Sequence, residues 1–345
     1  MSGITLSMSM PCSPTVPRGR VLCVDDEPNV LRALNWLLQK DFDVSTASSG
    51  LEGLKLVRES ASFDVIISDQ RMPEMNGVDF LREVRSITPR AMRILLTGYS
   101  DTQAILRSVN ESEIFRYVNK PWNVTDLPKM VAQAAEIARS LPETQTDPEP
   151  LGDAALAASA ARILILDEDP GVHAQAELAI GDYAEVLHTT SVLDAVQQLQ
   201  SGNISVIVTE THIGTVDSTR LIRLLKQHYP EIVTVVLAEA SGADLVSSLI
   251  NQGQIYRFVP KPIKAGYLKI ILRSAIAKHQ QLKQDPALLG RHQVEAISDE
   301  SAKAFETELL ASTHAPRNTI GIDLQKTKKP QGLGVGGFLK RLFAH

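Results

Sequence analysis

Short continuous apolar runs alternate along the chain with segments in which apolar residues recur every three or four positions. In the first third of the chain continuous apolar runs cover residues 21–24, 65–67 and 94–96, and two further strands, which include polar side chains, are predicted over 44–46 and 115–118. Such runs are typical of buried strands, and the helical spacing between them is typical of helices packed on a sheet by one face. Five alternating strand and helix units predict an open parallel sheet with helices on both sides.

The same pattern restarts in the second half of the chain and predicts a second sheet of the same kind. Residues 20–140 and 161–284 are therefore interpreted as two domains, joined by a Pro/Ala-rich acidic linker over residues 141–160. Residues 1–19 and 285–345 are expected to be largely disordered tails. The last residues, 338–343, pair apolar with basic side chains and predict a short amphipathic end.

Composition changes this picture little. The 345 residues carry a formal net charge of −5, which gives no overall attraction to nucleic acid. The two cysteines, Cys12 and Cys23, offer neither a disulfide framework nor a zinc site, which favours a reducing cytoplasm. No apolar run approaches the roughly 20 residues needed to span a bilayer, and residues 1–20 lack the apolar core of a secretory signal. A cytoplasmic protein is expected.

Polar residues that can carry chemistry follow the predicted strands of the first domain. They are Asp25, Asp26, Asp69, Thr97 and Lys120. Because the functional crevice of an open parallel sheet lies at the carboxyl ends of its strands, we expect these side chains to meet there. Three carboxylates together repel one another unless a cation lies among them, and Mg²⁺ is the hard ion that oxygen ligands favour. A carboxylate beside such an ion can attack a phosphoryl group.

This set of residues recurs in the second domain, and three of its members recur at one fixed spacing. From 69 to 210 and from 97 to 238 is 141 positions, and the same offset relates 120 to 261. The corresponding residues of the second domain are Asp167, Glu168, Glu210, Ala238 and Lys261. Only the first copy is chemically complete, because the second has Glu210 in place of an aspartate and Ala238 in place of a hydroxyl side chain.

These motifs resemble the receiver domains of two-component response regulators. The resemblance rests on Asp25-Asp26, on residues 69–77, on Leu96-Thr97-Gly98 and on Asn119-Lys120-Pro121. It implies an α/β fold of the flavodoxin-like, doubly wound type, with two five-stranded parallel sheets in tandem. It further implies that Asp69 is the phosphoacceptor and that Thr97 and Lys120 contact the phosphoryl group. In the same resemblance, Mg²⁺ is bound by Asp25, Asp26, Asp69 and the backbone carbonyl of Arg71, and Tyr117 is a switch residue.

The second domain resembles a receiver whose chemistry has been lost. A longer carboxylate at Glu210 displaces the attacking oxygen, and errors near 1 Å can cost on the order of 10²-fold in rate. Two interpretations of Glu210 stay open. It imitates the phosphorylated acceptor by a fixed negative charge near Lys261, or it is drift in a domain kept as a docking platform.

The function expected from the sequence is a response regulator of a two-component phosphorelay. The first domain would accept a phosphoryl group on Asp69 from a sensor histidine kinase or a histidine phosphotransfer protein. The chain would then signal to a downstream protein by protein contacts, without a DNA-binding output domain and without enzymatic turnover; a homodimer is a further option. Two alternatives remain: a phosphatase of the haloacid dehalogenase type, based on the Asp-x-Asp spacing of Asp167 and Asp169, and a receiver-like scaffold that is not phosphorylated.

Overall fold

The structure is a computed structural model, and it describes residues 18–60, 62–98, 110, 112–142, 148–200, 203–238, 249–251 and 255–292. The predicted tails over residues 1–17 and 293–345, including the amphipathic end, lie outside this part of the chain. So do residues 104–109, over which the apolar spacing predicts a helix after the fourth strand.

The first half forms a five-stranded parallel sheet in the order β2-β1-β3-β4-β5. Its strands are β1 (Gly19–Val24), β2 (Phe42–Ala47), β3 (Val65–Asp69), β4 (Met92–Thr97) and β5 (Arg116–Asn119). Its helices within the described residues are α1 (Pro28–Leu38), α2 (Gly50–Glu59), α3 (Gly77–Ile87) and α4 (Asp126–Ser140). This strand order is that of the flavodoxin-like fold, as the resemblance implied.

The second half repeats this architecture. Its main sheet is also parallel and five-stranded, with β7-β6-β8-β11-β12 as neighbours. These strands are β6 (Arg162–Leu166), β7 (Glu185–Thr189), β8 (Val206–Glu210), β11 (Val233–Ala238) and β12 (Arg257–Pro260). The helices are α6 (Pro170–Ile180), α7 (Val192–Gln200), α8 (Ser218–His228) and α9 (Ala265–Gln284). An additional two-stranded hairpin, β9 (His212–Ile213) and β10 (Val216–Asp217), follows β8.

Local sequence explains where these elements begin. Pro28 opens α1 at a position where a missing N–H costs nothing, because the first N–H groups of a helix lack partners anyway. Ser49 caps α2 by accepting from the Glu52 amide, and Asn76 caps α3 by accepting from the Asp79 amide. The central strands β3 and β4 are buried along their whole length, which agrees with their continuous apolar sequences.

The segment over 141–160 differs from the linker that was predicted. Within it lies a short helix, α5 (Asp153–Ala158), and its Leu156 is fully buried. The Ala-rich composition that suggested a connector is also strongly helix-forming, so one buried leucine suffices to hold a helical turn against the second half. A 3-10 helix over Pro286–His292 likewise extends order beyond residue 284. No helix among the described residues is long and apolar enough to cross a bilayer.

Candidate functional site

The carboxyl edge of the first sheet brings together four of the polar residues predicted from the sequence. Asp25 follows β1, Asp69 ends β3, Thr97 ends β4 and Lys120 follows β5. The register pairs Asp69 with Leu96 and Thr97 with Asn119, so the strands end at nearly the same level. Parallel strands thus deliver these side chains to one crevice, as expected for this fold class.

Lys120 joins the two buried carboxylates of this crevice. Its Nζ lies 2.5 Å from Oδ1 of Asp69 and 2.8 Å from Oδ2 of Asp25. Asp25 is fully buried and Asp69 is 5% exposed. The remaining oxygens are also held: Asp25 accepts from the Glu27 amide at 2.9 Å, and Asp69 accepts from the Arg71 amide at 2.7 Å. Both oxygens of the Asp69 carboxylate are therefore held in position by Lys120 and by the Arg71 amide.

Electrostatics at this crevice favour additional positive charge. Burial raises the pKa of Asp69, and the neighbouring Asp25 carboxylate raises it further, while Lys120 opposes the shift only in part. Burial lowers the pKa of Lys120, but its hydrogen bonds to Asp25 and Asp69 outweigh this and raise the pKa overall. One lysine therefore does not offset the negative charge of two buried carboxylates.

The structure does not draw the predicted metal ligands into one cluster. Asp26 is exposed, and Lys120 occupies the space between Asp25 and Asp69. No group of three acidic, histidine or cysteine side chains in the described part of the chain is arranged to hold a metal ion. The donor chemistry nevertheless fits Mg²⁺, since carboxylate oxygens are the hard ligands that this ion prefers, and Asp25 and Asp69 both contact Lys120 at the edge of the sheet.

Thr97 and Tyr117 lie close to this crevice in different ways. Thr97 is 1% exposed and its hydroxyl donates to the Gly98 carbonyl at 3.1 Å. Tyr117 lies on β5, three residues before Lys120, and its ring is 3% exposed. Burial raises the pKa of the Tyr117 phenol well above its usual value.

Gly77 is a site residue that the sequence reasoning did not single out. A Cβ atom at this position would lie 2.1 Å from the Asp69 carbonyl oxygen and 2.8 Å from Cδ1 of Leu95. Helix α3 thus begins directly against the backbone of β3 at Asp69. A signal was present in the repeat, because the residue 141 positions later is Ser218 rather than glycine, and its hydroxyl contacts the Glu210 carbonyl.

The second half reproduces the ionic framework with altered side chains. Lys261 Nζ lies 2.9 Å from Oδ2 of Asp167 and 2.9 Å from Oε2 of Glu210. Ala238 ends β11 where Thr97 ends β4, and Glu168 is exposed as Asp26 is. Burial alone would lower the pKa of Lys261, and the hydrogen bonds to Glu210 and Asp167 reverse this and raise it.

The Asp-x-Asp spacing that suggested a phosphatase has a local explanation. Asp169 caps α6 by accepting from the Gly171 amide at 2.8 Å, and its own amide donates to Oδ1 of Asp167 at 2.9 Å. Asp169 is therefore engaged in starting a helix, and Asp167 is paired with Lys261.

Comparison with known proteins identifies the first half. Residues 21–132 match the family described as the response regulator receiver domain. The chain is 44% identical over 117 residues to the hydrogenase transcriptional regulatory protein HoxA of Cupriavidus necator, covering 34% of this chain and 24% of that protein. HoxA of Bradyrhizobium diazoefficiens is 36% identical over 129 residues, covering 37% of this chain and 26% of that protein. A receiver domain structure from Clostridium thermocellum is 36% identical, with a TM-score of 0.34, covering 35% of this chain and 97% of that one.

These relatives correct the predicted output. The prediction of signalling through protein contacts alone, without a DNA-binding output domain, is wrong, because the relatives that match residues 21–132 are named as transcriptional regulatory proteins. The chain spans about a quarter of the length of these relatives.

Proposed function

Since residues 21–132 form a response regulator receiver domain, we propose that this chain accepts a phosphoryl group on Asp69 in a two-component pathway that controls transcription. The donor is a phosphohistidine of a sensor histidine kinase or of a histidine phosphotransfer protein. The observation that carries the proposal is the Lys120 ammonium group between two buried carboxylates, 2.5 Å from Asp69 and 2.8 Å from Asp25. The control of transcription rests on the names of the relatives.

The reaction moves one phosphoryl group between two side chains. An Asp69 carboxylate oxygen attacks phosphorus, an O–P bond forms and the N–P bond of the donor breaks. The electron pair of that bond stays on the donor imidazole, which takes up a proton. The product is an acyl phosphate on Asp69, and no turnover follows, so the chain acts as a phosphoprotein rather than as an enzyme.

The remaining crevice residues supply charge and position. Lys120 loses its pairing with the Asp69 charge as the acyl phosphate forms and is then close enough to contact a phosphoryl oxygen. Thr97 can turn its hydroxyl from the Gly98 carbonyl to another phosphoryl oxygen. Asp25, Asp26, Asp69 and the Arg71 carbonyl would hold Mg²⁺, which offsets the phosphoryl charge when bound. The buried, free thiol of Cys23 is in keeping with a cytoplasmic location.

The second half is proposed to be a degenerate receiver domain that does not accept phosphate. Support comes from its identical strand order and from Lys261, which pairs with Asp167 and Glu210 as Lys120 pairs with Asp25 and Asp69. Glu210 is already paired with Lys261, which it shares with Asp167, and Ala238 has no hydroxyl that could donate to a phosphoryl oxygen. These features favour a docking platform over an imitation of the phosphorylated state.

Intact mass spectrometry after treatment with acetyl phosphate and Mg²⁺ tests this proposal. The wild type and the matched control Glu210→Gln should each gain one phosphoryl group, and Asp69→Asn should gain none. A phosphoryl group that persists in Asp69→Asn, or that is lost in Glu210→Gln, would contradict the assignment. Repeated hydrolysis of phosphate esters would instead favour a phosphatase.

A further inference from the structure

Two asparagines join the halves of the chain in a reciprocal arrangement. Asn251 accepts from the Tyr117 amide at 2.7 Å and donates to the Tyr117 carbonyl at 2.9 Å. Asn110 accepts from the Phe258 amide at 3.2 Å and donates to the Phe258 carbonyl at 2.9 Å. From 110 to 251 and from 117 to 258 is 141 positions in each case, which is the offset of the repeat. The two domains therefore contact each other through equivalent surfaces.

These asparagines satisfy backbone groups that a sheet edge would leave open. Tyr117 lies on β5 and Phe258 on β12, and each of these strands is at the edge of its sheet. In an edge strand, the N–H and C=O groups that point away from the sheet have no neighbouring strand to bond with. They need another partner, because otherwise they can pair with a second chain. Each asparagine side chain supplies one donor and one acceptor, so each domain closes the open edge of the other.

Apolar packing surrounds these hydrogen bonds. Tyr117 and Ile114 from the first half belong to the same buried cluster as Leu249, Ile255 and Phe258 from the second. Removing apolar surface of both halves from water favours a closed arrangement over two separate domains.

A cluster of charged side chains beside the edge strands β5 and β12 adds ion pairs between the two halves. It is centred on one carboxylate of the first half. Glu113 of the first half lies 3.7 Å from Lys278 and 3.3 Å from Arg291 of the second half. Arg85 and Arg93 approach the same carboxylate from its own domain at 3.5 and 3.7 Å. One carboxylate thus binds cations from both halves.

Strand β5 connects this interface to the phosphoacceptor. Tyr117, which Asn251 holds, is three residues before Lys120, which lies 2.5 Å from Asp69. We propose that the second half is a partner of the receiver domain within the same chain. By binding β5 it holds Lys120 at Asp69, so that phosphorylation of Asp69 and pairing of the two domains are coupled. This inference rests on the proposed role of Asp69. Asn251 acts in it as a positioning residue.

The occupant of this surface is the second half of the same chain rather than a second copy. Each asparagine already has its backbone partner within the chain, and the Glu113 cluster has cations from both halves. A second copy would have to displace all of these contacts. Protection of the Tyr117 amide from hydrogen exchange should therefore not depend on protein concentration, and a dependence would overturn pairing within one chain.

Two measurements on the full chain test the coupling, with Asn251→Ala, Asn110→Ala and the control Asn35→Ala. Asn35 lies on α1 and makes no hydrogen bond to the second half among the described residues. In Asn251→Ala the Tyr117 amide should exchange faster while β3 stays protected, and phosphoryl transfer from acetyl phosphate should slow by about fivefold or more. Asn251→Asp keeps the acceptor for the Tyr117 amide but loses the donor, so its rate should lie between those of Asn251→Ala and the wild type.

Coupling is reciprocal, which gives a readout that a purely structural contact would not change. Beryllium fluoride with Mg²⁺ should alter exchange of the Phe258 amide in the wild type and in Asn35→Ala, but not in Asp69→Asn. An unchanged Phe258 amide, or a normal phosphorylation rate in Asn251→Ala despite faster exchange at Tyr117, would overturn the coupling alone. A wild type that takes up neither phosphoryl group nor beryllium fluoride would overturn the proposed function and, with it, the coupling.

Discussion

Replacement of Gly77 by alanine should damage the phosphoacceptor site through the backbone. The added Cβ would lie 2.1 Å from the Asp69 carbonyl oxygen and 2.9 Å from the Asp69 carbonyl carbon. Contacts under 3.0 Å essentially do not occur for real Cβ atoms, so one of the two segments must move by about 0.9 Å, the difference between 3.0 and 2.1 Å. The third contact, Cδ1 of Leu95 at 2.8 Å, can be relieved by side-chain rotation.

The size of the effect on phosphorylation depends on whether β3 or the start of α3 moves to relieve the contact. β3 is paired on both sides, with β1 and with β4, so a shift of Asp69 strains the centre of the sheet. A displacement near 1 Å at a reacting group can lower a rate on the order of 10²-fold. Overpacking also costs about 1–3 kcal/mol of the free energy of unfolding, offset by at most about 1 kcal/mol because alanine favours a helix over glycine.

The rate of phosphoryl incorporation from acetyl phosphate, followed by intact mass, measures the first effect, and urea unfolding measures the second. Gly98→Ala is the matched control, since a Cβ at Gly98 would meet nothing within 4 Å. A Gly77→Ala chain that is phosphorylated as fast as Gly98→Ala would refute the reasoning.

Three further predictions concern buried charges. Because the pKa of Asp69 is raised on folding, its contribution to stability is present below its unfolded pKa and is lost as pH rises through its folded pKa. Asp69→Asn should therefore melt at a higher temperature than the wild type at neutral pH, and a gain that persists in acid would contradict this. Burial lowers the pKa of Lys226 to about 7, so the unfolded chain binds one more proton than the folded chain between about pH 7 and pH 10.5. The free energy of unfolding should therefore rise over this range by up to about 5 kcal/mol. Lys226→Met should abolish the rise when urea unfolding is measured as a function of pH. Glu113→Gln removes the carboxylate charge that cations of both halves approach and should cost about 3–5 kcal/mol in urea unfolding, whereas Glu59→Gln, on the exposed surface, should cost little.

The sequence located the residues of the first crevice because their chemistry is tied to strand ends. A parallel strand that is buried on both faces must be apolar, and the first polar residue after it lies at the carboxyl edge of the sheet. Asp69, Thr97 and Lys120 lie one or two residues beyond the apolar ends of their strands, so the pattern predicted the edge of the sheet at which they meet, and the repeat offset located Glu210, Ala238 and Lys261 in the same way.

The segment between the sheets was predicted less well. Prolines and acidic residues indicated a linker, yet Leu156 is fully buried in α5. Whether a short Ala-rich stretch forms a helix depends on whether its single leucine finds an apolar surface, and local sequence does not contain that information.

The amino-acid sequence by itself determined the two-sheet pattern, the internal repeat and the complete and incomplete sets of polar residues. Periodicity and strand-end chemistry are local properties of the chain, which is why they can be read in order along it. Only the tertiary structure decided that Lys120 bridges Asp25 and Asp69, that Gly77 contacts the Asp69 backbone and that Asn110 and Asn251 close the sheet edges of the opposite half. Each of these contacts joins residues distant in sequence, and their distances follow from how the layers pack rather than from the residues on either side.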